Sequence, residues 1–95
     1  PEFDAVVSSN DEMALGAIEA LKAANIEDVV VLGLDATDDA RAEIKAGTMS
    51  GSLKQDAVII ANTSADLAVK AAQGEEIEDT YVDWVMITKD NVDTE

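Results

Sequence analysis

Short apolar runs alternate with helical periods along the whole chain, and this alternation restricts the possible folds more than any other feature. The run VVVLGL is apolar at every position, as expected of a central parallel strand that is covered on both faces. The segments between such runs repeat their apolar residues at helical spacing. Strands that alternate with helices in this way favour an α/β domain with a mainly parallel sheet.

The 95 residues are enough for one small domain, and we predict a single domain over residues 1–95. Four strands are predicted, at Asp4–Ser8, Asp28–Leu34, Met49–Leu53 and Tyr81–Thr88. Three helices are predicted, at Asp11–Ala24, Asp38–Ala46 and Ala57–Gln73. Residues typical of helix starts and stops flank these segments, namely Asn10 or Asp11, Thr37 and Asp56 at the starts and Asn25, Gly47 and Gly74 at the ends.

Polar side chains follow the first three predicted strands at the point where each strand ends. Asn10 follows the first, Asp35 the second and Gln55 the third. Ligands of open parallel sheets bind outside the carboxyl ends of the strands, so we expect these three side chains to converge on one rim. Amides and a carboxylate suit the hydroxyl groups of a polar small molecule, and no nucleophile, histidine or cysteine stands beside them. The pattern predicts a binding site rather than a catalytic one.

Composition excludes several classes of function. A net charge of −15, from 21 acidic and 6 basic residues, argues against binding to nucleic acid or to anionic membranes. Without histidine or cysteine the chain lacks the usual zinc ligands and the catalytic Ser-His-Asp triad, and no cofactor is predicted. No apolar run is long enough to cross a bilayer, and no secretory signal precedes the first strand. The chain starts at Pro1, and we expect it to be a processed or excised piece.

Four segments carry a resemblance to a known family: SSNDEMALGAIEAL, VVVLGLDAT, IKAGTMSGSLKQDA and ITKDNV. Together they resemble the C-terminal part of a type I periplasmic sugar-binding protein of the ribose- and galactose-binding class. The ligand-binding domains of LacI-type repressors are similar. The resemblance implies a partial, flavodoxin-like lobe of a two-lobed protein that closes on a sugar and delivers it to an ABC transporter or a chemoreceptor. It also implies a location in the periplasm or at the outer cell surface.

The resemblance assigns roles to the three rim residues. Asn10 lies in the N-D-x-M segment, Asp35 in the V-x-G-x-D segment and Gln55 in the K-Q-D-A segment, and each is implied to hydrogen-bond sugar hydroxyls. The N-terminal lobe and the first strands of the C-terminal lobe have no counterpart here. The aromatic residues and the arginine that hold the sugar in the family are absent with them, so the site is expected to be incomplete.

Three alternatives stay open from the sequence. The chain could be an excised or designed fragment that folds but retains no ligand binding. The first strand lacks the neighbour that it has in the family, so its apolar edge could pair with a second copy in a homodimer. In a receiver-like phosphoacceptor domain, Asp35 would be the phosphorylated residue, and Asp11, Thr37 and Lys89 would assist it. The acidic pair that would end the first strand of such a domain is absent here.

Overall fold

The computed structural model describes residues 2–95 and contains four strands and three helices in strict alternation. The strands are β1 (Ala5–Val7), β2 (Val30–Leu34), β3 (Gly51–Lys54) and β4 (Val85–Ile87). The helices are α1 (Asp11–Ala23), α2 (Asp38–Ala46) and α3 (Ala57–Ala72). The structure therefore confirms the predicted α/β class, with a small open sheet that is mainly parallel.

The four strands form one sheet in the order β1-β2-β3-β4, so strands that follow one another in the chain are neighbours in the sheet. The first three strands are parallel, with Val31 aligned to Val6 and Gly33 aligned to Ser52. Strand β4 runs antiparallel to β3. As expected from its apolar run, β2 has a neighbour on each side, and β1 forms an edge of the sheet.

The strands are shorter than predicted, and β3 is displaced toward its carboxyl end. It begins at Gly51 and extends to Lys54, and Met49 lies in the connection before it, where it is buried. The largest error concerns Tyr81–Thr88, of which only Val85–Ile87 is a strand. These three residues are the ones that face Ser52–Lys54 in β3, so the length of the partner strand limits β4.

The helix boundaries agree closely with the capping signals. The side chains of Asn10, Thr37 and Asp56 each accept a backbone N–H from the first turn of the helix that follows. Helix α2 has the predicted bounds and stops at Gly47, which has a left-handed φ of 89°. Asn25 also adopts a left-handed conformation just after α1.

The chain divides into two compact units, residues 1–54 with 85–95 and residues 55–84. The first unit contains the sheet, α1, α2 and a core of small aliphatic side chains. Its largest fully buried apolar residues are Ile44, Met49, Ile87 and Val31. Among the described residues, the buried apolar core is Ala14, Ile18, Val31, Ala36, Ala40, Ile44, Met49, Ile87 and Val92.

The second unit, residues 55–84, consists of α3 and a following segment without helix or strand. Asp56 caps α3 by accepting the backbone N–H groups of Val58 and Ile59 at 3.0 and 3.1 Å. No residue of α3 is buried, and Val58 in its first turn is 68% exposed. Helix α3 therefore presents apolar side chains to solvent.

Candidate ligand-binding site

The first unit brings two of the three predicted site residues to one rim of the sheet. Asn10 follows β1 and Asp35 follows β2, and these two strands are adjacent and parallel. Both residues therefore lie at the carboxyl ends of the strands, where ligands of open α/β sheets bind. Gln55 follows β3 directly and is the first residue of the second unit, half-buried. Its part in the site remains a prediction.

Asn10 is half-buried and caps α1. Its backbone is extended, and its Oδ1 accepts the backbone N–H of Met13 at 2.9 Å. This bond fixes the orientation of the side-chain amide, because it uses the oxygen and turns the Nδ2 group away from the helix backbone. Capping and ligand binding are therefore compatible in this residue, since the Nδ2 group can donate to a ligand hydroxyl.

Asp35 is exposed and begins a loop with unusual backbone geometry. Asp35 and Ala36 both have positive φ, at 119° and 56°. Residues other than glycine rarely adopt such φ values, so the surrounding structure must hold these two residues in that conformation. Unusual backbone of this kind concentrates at functional sites, so the geometry supports the choice of this strand end as a site.

Consecutive hydrogen bonds hold the Asp35 loop in place. The N–H of Asp35 donates to the carbonyl of Leu53 in β3 at 2.9 Å. The N–H of Ala36 donates to Ser52 Oγ at 2.9 Å, and the N–H of Thr37 donates to Asp11 Oδ2 at 2.8 Å. Three successive amides of this loop are therefore satisfied by three different acceptors.

Asp11 and Ser52 form a buried polar pair beneath this loop. Both have no exposed surface, and Ser52 Oγ donates to Asp11 Oδ1 at 2.6 Å. Gly33 makes room for the pair, because a Cβ added there would overlap Asp11 Oδ1 and lie 2.7 Å from Met49 Cε. Glycine at position 33 therefore permits the close approach of the carboxylate that lies against it.

Arg41 supports the loop from its other side. Its Nε donates to the carbonyl of Ala36 at 2.9 Å, and its Nη1 donates to the carbonyl of Val92 at 3.3 Å. Its guanidinium group therefore links the loop, α2 and the segment after β4. The two hydrogen bonds come from one planar group, which restricts their relative orientation.

Sequence reasoning missed the supporting roles of Asp11, Ser52 and Arg41. The sequence indicates Asp11 only as a possible start of α1 or as a helper at a phosphoacceptor site, and it assigns no role to Ser52 or Arg41. No local signal in the sequence could have found these roles, because the alignment of Ser52 with Gly33 depends on the register of β3 against β2.

The receiver-like arrangement is not assembled. Because β4 is antiparallel to β3, the residues after it return toward the amino end of β3. Lys89 accordingly places its Nζ 3.9 Å from the position of a Cβ on Gly47, near the start of β3 and at the opposite end of that strand from the Asp35 loop. Asp11 is also buried beneath the loop, where Ser52 and Thr37 hydrogen-bond both of its oxygens.

Within residues 2–95, no cluster of three or more acidic side chains could hold a metal ion. A depression of about 480 Å³ lies at the amino ends of the strands, opposite to the rim, and is lined in part by Leu21, Asn25, Val29 and Thr48. None of the helices in the described part of the chain is long and apolar enough to cross a membrane.

Comparisons with known proteins show the family of the chain. A family model described as a periplasmic binding protein domain matches residues 1–76. A putative rhizopine-binding protein of Rhizobium meliloti is 49% identical over 94 residues, which cover 96% of this chain and 30% of that protein. The ribose import binding protein of Salmonella typhimurium is 37% identical over 90 residues, which cover 94% of this chain and 30% of that protein. The chain thus spans about 30% of the length of these relatives.

Solved structures show the same relationship. An ABC transporter solute binding protein of Bacillus halodurans with bound myo-inositol is 46% identical, with a TM-score of 0.77, over 97% of this chain and 32% of that one. A myo-inositol binding protein of Caulobacter, also with myo-inositol bound, is 36% identical with a TM-score of 0.77. It aligns with 94% of this chain and 31% of its own. The resemblance stated from the sequence motifs is confirmed.

Proposed function

This chain belongs to the periplasmic binding protein domain family, and on that premise we propose that it forms one side of a binding site for a sugar or a cyclic polyol. The observation that carries the proposal is the placement of Asn10 and Asp35 at the carboxyl ends of adjacent parallel strands. Two solved structures that are 46% and 36% identical to this chain over the aligned residues contain bound myo-inositol. The chain itself would act as part of a C-terminal lobe.

The proposed roles follow from the chemistry of hydroxyl groups. Each hydroxyl is both a donor and an acceptor, so a polyol needs both kinds of partner. Asp35 supplies carboxylate oxygens that accept from one or two adjacent hydroxyls, and the Nδ2 group of Asn10 donates to a third. Gln55, in the position after β3, would add an amide that can donate and accept.

We propose binding rather than catalysis. The named relatives are binding proteins, and the polar rim contains amide and carboxylate groups without histidine or cysteine. Specificity would arise because a site built from such groups rejects an analogue that lacks the matching hydroxyl. By analogy with the relatives, the bound molecule would be delivered to an ABC transporter in the periplasm, and the other lobe would cover the ligand.

The proposal is tested by adding ribose, xylitol and myo-inositol, each at millimolar concentration, to the isotopically labelled 95-residue chain and following its amide NMR signals. We expect saturable shifts at Asn10, Asp35 and Gln55 with at least one of the three. Asp35→Asn should weaken this binding by about tenfold or more, since hydrogen bonds to charged groups contribute about 1.5–3 kcal/mol. Asp38→Asn is the matched control, because it removes the same charge from an exposed position in the first turn of α2.

Absence of shifts in the isolated chain would refute retained binding and favour a fragment that folds without function. A chimaeric protein then tests the family role separately. In it, this chain replaces the matching segment of the Bacillus halodurans protein, to which it is 46% identical. Loss of myo-inositol binding by the chimaera, with its fold intact, would refute the proposed role of the rim itself.

A second proposal concerns β1, because the edge of the sheet is apolar there. Val7 is 76% exposed and Phe3, just before the strand, is 48% exposed. An exposed apolar edge favours pairing with another strand, and in the isolated chain we propose that a second copy takes this place. Sedimentation over a range of concentrations tests it, and a monomer at every concentration would refute the homodimer.

A further inference from the structure

The buried carboxylate of Asp11 has a position that helix capping alone does not explain. It is the first residue of α1, it has no exposed surface, and both of its oxygens accept hydrogen bonds from other parts of the first unit. One bond comes from the Ser52 hydroxyl in β3 and the other from the Thr37 amide after β2. A buried charge is costly unless it is paired and hydrogen-bonded in this way, so a specific arrangement is maintained around it.

Ser52 connects the carboxylate of Asp11 to the Asp35 loop through two hydrogen bonds. An ionised carboxylate only accepts hydrogen bonds, so the single hydroxyl proton of Ser52 is directed to Asp11 at 2.6 Å. The lone pairs of Ser52 Oγ then remain for the amide of Ala36, which donates to it at 2.9 Å. Ser52 Oγ thus accepts from the Ala36 amide, which can only donate, and donates its own proton to Asp11.

The loop needs this support because of its backbone. Asp35 and Ala36 occupy positive φ in succession, which is unfavourable for residues with a Cβ. The amides of Ala36 and Thr37 are the ones bound by Ser52 and Asp11. Without those acceptors, the loop could relax to ordinary negative φ, and the carboxylate of Asp35 would leave its place on the rim.

We propose that Asp11 and Ser52 are positioning residues for Asp35: they hold the loop in its positive-φ conformation and so pre-organise the carboxylate for ligand hydroxyls. This inference rests on the proposed function of Asp35 as a ligand-binding residue. Both side chains are fully buried, so neither touches the ligand. They contribute to affinity because they order the loop before the ligand binds, so that binding does not include the entropy cost of ordering it.

The test compares Ser52→Ala with Ser50→Ala in the 95-residue chain. Ser50 is a matched control, because its Oγ also accepts a backbone N–H, from Val31 at 3.2 Å, but it lies before β3 and away from the Asp35 loop. Without ligand, amide hydrogen exchange of Ala36 and Thr37 and the HN–Hα couplings of Asp35 and Ala36 report the loop conformation. Binding of the polyols is then measured by the same titration as for the parent chain.

We expect Ser52→Ala to accelerate exchange of the Ala36 amide by about tenfold or more and to weaken polyol binding by a similar factor. Ser50→Ala should change neither. Adding Ala36→Gly to Ser52→Ala should restore the couplings of the parent loop and part of the affinity, because glycine adopts positive φ without strain. A purely structural role of Ser52 would not predict this rescue by a change in the loop.

Unchanged loop couplings and exchange in Ser52→Ala would overturn the inference, even if the parent chain binds a polyol. If the parent chain binds none, the proposed function fails, but the loop measurements still decide whether Asp11 and Ser52 hold the conformation. Should Ser52→Ala not fold, Asp11→Asn provides the second variant, because its Nδ2 group takes the place of one of the two carboxylate oxygens and cannot accept the hydrogen bond made there. An undisturbed loop in Asp11→Asn would then overturn the inference.

Discussion

Two glycines of the first unit should respond in opposite ways to the same added methyl group. Gly16 lies within α1, is exposed, and has no atom within 4 Å of the position where a Cβ would stand. Gly33 lies in β2 and is buried, and its Cβ would overlap Asp11 Oδ1. The pair therefore tests the packing around the buried carboxylate, with the chemical change held constant.

The expected changes in the free energy of unfolding follow from the atoms around each glycine. Gly16→Ala should stabilise the protein by about 1 kcal/mol, the difference in helix propensity between the two residues. Gly33→Ala places a methyl group 2.7 Å from Met49 Cε and 3.2 Å from Ala14 Cβ, and both neighbours are buried. Overpacking costs about 1–3 kcal/mol, and displacement of a buried hydrogen-bonded carboxylate adds about 1–3 kcal/mol. The expected destabilisation is about 2–6 kcal/mol, a large share of the roughly 5–15 kcal/mol that holds a typical domain folded.

Urea unfolding followed at amide NMR signals of the first unit measures both changes. The urea midpoint should rise for Gly16→Ala and fall for Gly33→Ala, with similar dependence on urea concentration in each case. Gly33→Ala should also shift the amide signals of Ala36 and Thr37, whose acceptors are Ser52 and Asp11. A neutral effect of Gly33→Ala would refute the close contact between β2 and the carboxylate and, with it, the packing that underlies the loop.

Three further predictions concern the rim and the sheet edge. Asn10→Ala should destabilise the chain by about 1 kcal/mol in urea titrations, because it removes the cap of α1, and a loss below a few tenths would contradict that role. Asp35→Gly should abolish polyol-induced NMR shifts while leaving stability within about 1 kcal/mol of the parent chain or raising it, because relief of the unusual φ offsets the flexibility of glycine. Val7→Lys should shift sedimentation toward the monomer if β1 pairs between copies, whereas an unchanged profile would point to another contact.

The parts of the fold that depend on local signals could be predicted from the sequence. Helix α2 has the expected bounds because Thr37 caps its start and Gly47 ends it. Strand β4 was overestimated because Tyr81–Trp84 has a strand-like composition without a pairing partner in the sheet. Strand length depends on the neighbouring strand as well as on the sequence of the strand itself.

In the candidate site, too, some features follow from local sequence signals and others depend on how the strands pair. Asn10 and Asp35 could be placed on one rim because the ends of parallel strands converge. The hydrogen bond between Asp11 and Ser52 joins residues that are 41 positions apart, and only the register of β2 against β3 brings them together. Their association is a property of tertiary structure, which neither periodicity nor motif spacing encodes.

The sequential order of the strands has a consequence for how the molecule assembles. Each strand pairs with the one synthesised just before it, so β1 and β2 can associate before the residues of β3 and β4 exist. Pairings between segments that are close in sequence form with little loss of loop entropy, and domains assemble from the N-terminal end during synthesis. Among the strands of this chain, the sheet would thus grow in one direction, from β1 through β2 and β3 to β4.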